Sequence, residues 1–296
     1  MSLTTFRPAE RLSTHEPAKV TTVSLQQKKH TGIPITAVTA YDYASARLVD
    51  EAGLDFILVG DSLAMVMQGQ ENTLAITVDE MLLYTRGVRR AVRRALLVAD
   101  MPFGSYHASQ DEAVSNAIRF VKEAGAEAVK IEGARAELVA RLVDAEIPVM
   151  GHLGLTPQSI HRMGGFKVQG KTMAAIDALR EDALALAAAG CFALVLEGIP
   201  REAARLITDE LTIPTIGIGA GPDCDGQILV LHDMLTLTFA PPAKFVRRYA
   251  DLGAAMRTAL TDYKRDVEAR TFPSEAESYH LPEDARQVLE SLRPTD

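Results

Sequence analysis

Tryptophan is absent from this 296-residue chain, and cysteine occurs only twice. Cys191 and Cys224 cannot supply a disulfide framework for a chain of this length, and neither belongs to a Cys-x-x-Cys metal motif. The sequence also has no apolar run that approaches about eighteen residues, and no early basic segment followed by an apolar core. These absences argue against a membrane span and a signal peptide. We therefore predict a cytoplasmic protein with no membrane partner.

Basic residues are also in the minority, since 31 Lys and Arg stand against 39 Asp and Glu, a net charge of -8. A nucleic-acid partner would need a basic surface for its phosphates. The only dense basic run, Arg86 to Arg94, follows an amphipathic helical pattern, and we interpret it as a solvated helix face. The charge balance predicts small-molecule substrates and no nucleic-acid partner.

From Pro34 onward, short apolar segments rich in β-formers alternate with amphipathic helical patterns. The predicted strands are Ile35–Ala40, Phe56–Gly60, Ala95–Ala99, Ala128–Ile131, Ile147–Met150, Phe192–Leu196, Ile213–Ile218 and Ile228–Leu231. Eight parallel strands joined by helices close into an α/β (βα)8 TIM barrel. A doubly wound open sheet is the alternative, because the link from Gly219 to Gln227 is short for a full helix.

The ends of the chain lack this alternation. Residues 1–21 are predicted to form an N-terminal arm, residues 22–270 a single barrel domain, and residues 271–296 a C-terminal tail. A helix is predicted at Thr22–His30, with Thr22 as its cap and Gly32 as its stop. Another is predicted after the last strand at Lys244–Ala269, and an amphipathic one within the tail at 283–293.

Three carboxylates lie at the ends of successive predicted strands two, three and four: Asp61, Asp100 and Glu132. The carboxyl ends of barrel strands open on one face, so these side chains should converge there. Like charges in one place call for a cation, and an all-oxygen set without cysteine favours a hard divalent ion such as Mg²⁺, with zinc as second choice. Alternatively, each carboxylate caps the helix that follows it.

Three further ionisable residues end strands four, five and six: Lys130, His152 and Glu197. The alternation of side chains places Lys130 on the same face as Glu132. There it could bind a substrate carboxylate, form a Schiff base or neutralise Glu132, and we favour carboxylate binding. His152 lies between glycines that let a ligand approach, or it is structural. Glu197 is a candidate general base, or a helix cap before Pro200.

Two connections around the predicted rim have unusual sequences. The link 153–173 is long enough to act as a lid over the site. The segment Gly217-Ile218-Gly219-Ala220-Gly221 is a weak dinucleotide signal, because that fingerprint belongs after an early strand. We favour the interpretation that its glycines clear space for a planar ligand or for tight barrel packing.

Several motifs, taken in order from about residue 22 to 273, resemble the ketopantoate hydroxymethyltransferase family. The motifs are Thr39-Ala40-Tyr41-Asp42-Tyr43, Val59-Gly60-Asp61-Ser62-Leu63, Ala99-Asp100-Met101-Pro102-Phe103, Val129-Lys130-Ile131-Glu132-Gly133, Gly151-His152-Leu153-Gly154-Leu155-Thr156-Pro157-Gln158-Ser159, Gly164-Gly165-Phe166-Lys167-Val168-Gln169-Gly170 and Ile216 to Gly221 with Asp225-Gly226-Gln227.

The resemblance implies a barrel of the phosphoenolpyruvate/pyruvate type, assembled as a homodecamer, in the pathway to pantothenate and coenzyme A. It implies transfer of a one-carbon unit from the co-substrate 5,10-methylenetetrahydrofolate to 3-methyl-2-oxobutanoate, giving 2-dehydropantoate through a metal-stabilised enolate. It also implies one Mg²⁺ per subunit. The family's metal positions fall on Asp61, Asp100 and, through water, Glu132.

The family's keto-acid-binding positions fall on Asp61, Ser62, Asp100, Lys130 and His152. Its proposed catalytic base falls on Glu197. The alternative enzyme is a related metal-dependent keto-acid lyase or aldolase that shares the barrel but does not use folate. A barrel that has lost catalysis is disfavoured, because the proposed catalytic positions keep competent residues.

Overall fold

Eight parallel strands follow one another in chain order around a closed barrel in the computed structural model, which describes residues 18–292. The strands are β1 Ile35–Thr39, β2 Phe56–Val59, β3 Leu96–Asp100, β4 Ala128–Lys130, β5 Val149–Gly154, β6 Ala193–Glu197, β7 Thr215–Ile218 and β8 Gly226–Leu229. β1 pairs with β8, with Ile35 opposite Gly226, which closes the sheet. The predicted barrel is confirmed, and the open sheet is wrong.

Helices surround the barrel or cover its ends. They are α1 Thr22–Thr31, α2 Tyr43–Glu51, α3 Leu63–Val66, α4 Val78–Ala91, α5 Gln110–Lys122, α6 Ala136–Asp144, α7 Ile160–Met163, α8 Met173–Ala188, α9 Arg201–Glu210, α10 Leu231–Met234, α11 Leu252–Glu268 and α12 Glu283–Ser291. Across residues 18–292, none of these helices has the length and apolar content to span a membrane.

The predicted domain bounds remain a prediction at both ends. Residues 1–17 of the predicted arm and 293–296 of the predicted tail lie outside the described residues. Within the tail, α12 coincides with the predicted amphipathic helix.

Alternate residues of each strand build two apolar layers. Phe56, Leu58 and Leu96 belong to the layer inside the barrel, whereas Val129 and Ile131 pack in the layer between strands and helices. Successive strand residues point to opposite faces, so Lys130 lies on the inner side between two outward residues. This confirms the predicted side for Lys130 and carries its charge to the barrel mouth.

Helix α1 covers the barrel end opposite the site. Its Leu25 is fully buried in the inner apolar layer. The cap is Thr21, whose hydroxyl accepts the N–H of Ser24, and not Thr22 as predicted; Gly32 ends the helix in the left-handed conformation, as predicted.

Two lysines of α1 anchor the helix to carboxylates that precede two different barrel strands. Lys28 Nζ lies 2.6 Å from Asp55 Oδ1, and Lys29 Nζ lies 2.8 Å from Asp225 Oδ2. Asp55 precedes β2 and Asp225 precedes β8. The helix is therefore tied to both early and late parts of the chain.

Three predicted boundaries are wrong. Helix α4 ends at Ala91 rather than Arg94, because the N–H groups of Arg93, Arg94 and Ala95 donate to the Asp50 carboxylate instead of continuing the helix. Strand β5 runs to Gly154, so His152 lies inside the strand. Helix α11 begins at Leu252 rather than Lys244, after an irregular segment.

The last helix of the barrel region packs little against its own chain. Helix α11 has no buried residue. Its large apolar side chains at Leu252, Met256, Leu260, Tyr263 and Val267 are 40–64% exposed. Their spacing places them on one helix face. An apolar face of this length needs a covering surface.

Candidate active site

Six charged side chains predicted for the site converge at the carboxyl ends of β2 to β6. Five of them are 2–4% exposed, namely Asp61, Asp100, Lys130, Glu132 and His152. Glu197 ends β6 and its side chain is 16% exposed. The structure thus brings the predicted set together, while the role of each residue remains a prediction.

Lys130 is at the centre of this cluster. Its Nζ lies 2.6 Å from Asp100 Oδ1, 3.8 Å from Glu132 Oε1 and 3.3 Å from His152 Nδ1. Burial by itself lowers the pKa of Lys130, but the carboxylates of Asp100, Glu132 and Asp61 outweigh it and raise that pKa above its usual value. The amine is therefore held as an ammonium. A Schiff base would need the neutral amine, so this environment favours binding of an anion.

His152 is held between two carboxylates. Its Nδ1 lies 3.3 Å from Glu132 Oε1, and its Nε2 lies 3.3 Å from Glu197 Oε2. Burial and the neighbouring Lys130 lower the pKa of His152, but Glu132 and Glu197 prevail and raise it to about 9. At neutral pH the imidazolium can donate from both nitrogens. His152 is thus a second buried cation.

The carboxylates carry more charge than the two cations balance. Four carboxylates face one ammonium and one imidazolium, so a fully ionised cluster has two negative charges in excess. Burial, followed by repulsion from Asp100 and Glu132, raises the pKa of Asp61 well above its usual range. A divalent cation would supply the missing positive charge and favour the anionic form of Asp61.

The donor atoms also fit a hard cation. The Asp61 N–H donates to Asp100 Oδ2 at 3.2 Å, so these two residues adjoin. Asp100 Oδ1 and Glu132 Oε1 are buried and accept no hydrogen bond, although both lie within ion-pair distance of Lys130. Among residues 18–292, however, no group of three or more His, Cys, Asp or Glu side chains is arranged to hold a metal. Direct ligation of a metal by Asp61 and Asp100, with Glu132 acting through water, therefore remains a prediction.

Glu132 is engaged by other partners. Burial favours its neutral form, but His152, Lys130 and the backbone N–H of Gln158 outweigh burial and lower its pKa. The Gln158 N–H donates to Glu132 Oε2 at 2.9 Å. Glu132 is thus held as an anion beside His152 and Lys130.

Gln158 is a site residue that sequence reasoning missed. Its amide nitrogen donates to Asp61 Oδ2 at 3.0 Å and to the Met101 carbonyl at 2.9 Å, and its amide oxygen accepts from the Tyr106 hydroxyl. The side chain is 5% exposed. It comes from a 3₁₀ turn, Pro157–Ser159, in the connection predicted to be a lid. The lid role remains a prediction, but Gln158 now fixes that connection to Asp61.

The Ser62 hydroxyl contacts a neighbouring side chain and does not cap the helix that follows it. It stands before α3 but makes no side-chain capping bond. Its Oγ lies 2.8 Å from the Tyr41 hydroxyl. The residue is partly exposed, and its substrate contact remains a prediction.

The helix-cap interpretation of the strand-end carboxylates is wrong. Helices α4 and α5 are capped by Thr77 and Ser109, and α6 and α9 begin after Arg135 and Pro200 without a side-chain cap. Asp61, Asp100, Glu132 and Glu197 are thus left for other roles.

Two other strand-end groups do not join the cluster. Asp42 caps α2 by accepting the Ser45 N–H at 2.9 Å. His232 lies beside Tyr41, with ring centroids 5.4 Å apart, on the β1–β8 side of the rim.

The Gly217–Gly221 segment supports the packing interpretation, because a Cβ on Gly219 would lie 2.6 Å from the Phe245 ring.

A family model for ketopantoate hydroxymethyltransferase matches residues 19–275. The chain belongs to this family. A 3-methyl-2-oxobutanoate hydroxymethyltransferase from Koribacter versatilis is 63% identical over 278 residues, which cover 93% of this chain and 94% of that protein. The protein of the same name from Syntrophomonas wolfei is 52% identical over 277 residues, covering 93% and 99%. The predicted family and its enzyme class, hydroxymethyltransferase, are confirmed.

Solved structures agree with the fold of this ketopantoate hydroxymethyltransferase family member. A 2,3-dimethylmalate lyase of the PEP mutase/isocitrate lyase superfamily superposes with a TM-score of 0.55 at 17% identity, covering 91% of this chain and 98% of that one. A phosphonopyruvate hydrolase in complex with oxalate and Mg²⁺ gives a TM-score of 0.54 at 14% identity, covering 91% and 95%. At these identities the likeness shows the barrel type alone, as predicted.

Proposed function

We propose that this protein transfers a hydroxymethyl group from 5,10-methylenetetrahydrofolate to 3-methyl-2-oxobutanoate and so forms 2-dehydropantoate for pantothenate biosynthesis. The observation that carries the proposal is the buried cluster of four carboxylates around Lys130 and His152. Once a divalent cation balances its excess negative charge, that cluster can hold an anionic keto acid and place a base beside it. The high identity to relatives named for this reaction supports the choice of substrate.

We assign a divalent ion, with Mg²⁺ as the proposed one, to Asp61 and Asp100, with Glu132 acting through water. Bound there, it would supply a Lewis acid that stabilises negative charge developing on the keto oxygen. The excess negative charge of the cluster supports this assignment. So do the buried oxygens Asp100 Oδ1 and Glu132 Oε1, which accept no hydrogen bond. The same barrel type binds Mg²⁺ in the phosphonopyruvate hydrolase complex with oxalate and Mg²⁺.

The side chains of the cluster bind and orient the keto acid. Lys130 and His152 are buried cations that can attract its carboxylate, and such charge-assisted contacts are strong where water is excluded. The Ser62 hydroxyl can donate to the same group. Holding the substrate in one orientation converts the attack on the one-carbon donor into a reaction between positioned partners.

Glu197 is the proposed base that removes the C3 proton. Its Oε2 lies 3.3 Å from His152 Nε2. The imidazolium holds the carboxylate in place. The Glu197 side chain is 16% exposed, so a substrate can reach it. After proton removal, C3 forms a bond to the methylene carbon of the folate. The C–N bonds that hold this carbon to the folate break, water supplies the hydroxyl oxygen, and tetrahydrofolate leaves.

The proposed assembly is a homo-oligomer, with the decamer as the expected form. The exposed apolar face of α11 supports association, because Met256, Leu260 and Tyr263 are more than half exposed. A second copy of the chain is the proposed cover.

The function is tested by turnover of 3-methyl-2-oxobutanoate with Mg²⁺ and 5,10-methylenetetrahydrofolate, followed by detection of 2-dehydropantoate. Exchange of the C3 proton in D₂O without folate measures the base step alone. Glu197→Gln should lower both rates by about 10²–10⁴-fold, and Glu202→Gln on α9 is the control. No product with either folate or formaldehyde as donor would refute the transfer reaction and favour a folate-independent lyase or aldolase.

A further inference from the structure

A cavity of about 580 Å³ lies beside the charged cluster. Its walls come from the loop after β4, the connection between β5 and α8, and one face of α8. Glu132 and Gln158 line it as well. Since both residues contact the cluster, the cavity adjoins the place where C3 reacts. Its volume lies within the range of small-molecule sites.

Helix α8 turns a mixed face toward this cavity. Ala175, Ala178, Leu179 and Asp182 follow helical spacing and all line it. The two alanines leave room beside the helix. Met163 and Leu153, with Leu179, supply apolar walls suited to a flat ring.

The Asp182 carboxylate lacks a hydrogen-bond donor among the residues that the structure describes. Within residues 18–292 it has no hydrogen bond and no salt bridge, and only part of its surface is exposed. Burial, followed by the nearby Glu181, raises the pKa of this carboxyl. A partly buried carboxylate that lines a cavity is a specific acceptor for a ligand with paired N–H donors.

Cations line the same cavity at a different part of its wall. Arg135 stacks over the Tyr106 ring, with its guanidinium carbon 5.1 Å from the ring centroid, and Arg162 has no ion-pair partner in the described part of the chain. Both line the cavity. A ligand that fits therefore has a flat donor-bearing ring and an anionic extension.

We propose that this cavity holds the folate co-substrate, with Asp182 accepting from the N3–H and 2-amino group of the pterin ring. The apolar walls hold the ring, and the arginines attract the glutamate carboxylates. This inference rests on the proposed function. It places the one-carbon donor on the Glu132 side of the cluster.

The test compares Asp182→Asn with Asp177→Asn, a matched change on the exposed side of the same helix. Steady-state kinetics give the KM for 5,10-methylenetetrahydrofolate and for 3-methyl-2-oxobutanoate. Calorimetry gives the affinity for 5-formyltetrahydrofolate. The rate of C3 proton exchange without folate reports on the keto-acid site alone.

Asp182→Asn should raise the KM for the folate and weaken 5-formyltetrahydrofolate binding by at least about tenfold, since it removes a charged hydrogen-bond acceptor. The keto-acid KM and the exchange rate should stay at the wild-type values, as should every value for Asp177→Asn. Equal folate parameters in both variants would overturn this site while the proposed function stands. A wild-type protein that exchanges the C3 proton but never uses the folate would overturn the proposed function and the site together.

Discussion

At the scale of single residues, the chemistry of this barrel depends on charges that cannot leave the interior. Lys130 Nζ and His152 Nδ1 are 3.3 Å apart although both side chains are cations. The surrounding carboxylates stabilise the two charges at this distance. Removing one partner from such a buried group leaves the other uncompensated, which is costly. Each member of the cluster therefore contributes to the stability of the fold as well as to the site.

His152 gives a pH-dependent contribution to stability. Its pKa is raised from 6.5 to about 9 in the folded chain, so its contribution is fully present below pH 6.5 and is lost as the pH rises through 9. In EDTA, the wild-type free energy of unfolding by urea should fall between these values, and His152→Gln should flatten that fall. Equal pH slopes for the two proteins would show that His152 does not titrate in this way.

Gln158 joins the connection after β5 to the site. Gln158→Leu should lower the free energy of unfolding by about 1–3 kcal/mol, because Asp61 and the Met101 carbonyl lose a buried donor. The rate of C3 exchange should fall as well. Urea unfolding and the exchange assay measure the two effects.

Gln70→Ala, at an exposed position, is the control for Gln158→Leu. A Gln158 variant as stable and as active as Gln70→Ala would mean that the contacts to Asp61 and Met101 have no energetic value.

At the scale of elements, the pairing of β5 with β6 positions the proposed base. Gly154 lies opposite Glu197 in the register, with φ +93, and a Cβ there would lie 2.2 Å from the Glu197 carbonyl oxygen. Both the left-handed backbone and this close approach require glycine. The base is thus placed by a neighbouring strand as much as by its own.

Gly154→Ala should therefore reduce kcat at least tenfold, since shifts of about 1 Å at a reacting group can cost 10² in rate. Gly53→Ala is the matched control, because Gly53 also has a positive φ, of +81, but open space around its Cβ position. The control carries only the backbone strain of about 1–2 kcal/mol. Equal kcat values in the two variants would contradict the positional role of Gly154.

Substitutions on helix α11 can show whether its apolar face lies in the proposed interface. Leu260→Lys places a charge in the exposed apolar face and should shift the protein toward smaller species in size-exclusion chromatography with light scattering. Thr261→Lys adds the same charge at the next, polar position and should leave the mass unchanged. An unchanged mass in both variants would remove α11 from the interface.

At the scale of the whole molecule, the sequence allows the barrel and most of the site to be predicted. Strands β2 and β3 could be predicted because their residues are apolar and buried on both faces. Asp61 and Asp100 could be recognised as site residues because they lie at the ends of such strands. Gln158 was missed because its partners are distant in sequence, and its neighbours predict only a loop. The end of α4 was misplaced because Asp50, more than forty residues away, takes the N–H groups of Arg93 and Arg94.

The anchors of α1 have a consequence for biosynthesis. Lys29 binds Asp225, which is 196 positions further along the chain. A chain emerging from the ribosome therefore makes this helix before any barrel strand but meets its second anchor only after seven of the eight strands have been synthesised. The end of the barrel that α1 covers can be fastened on both sides only from that point onward.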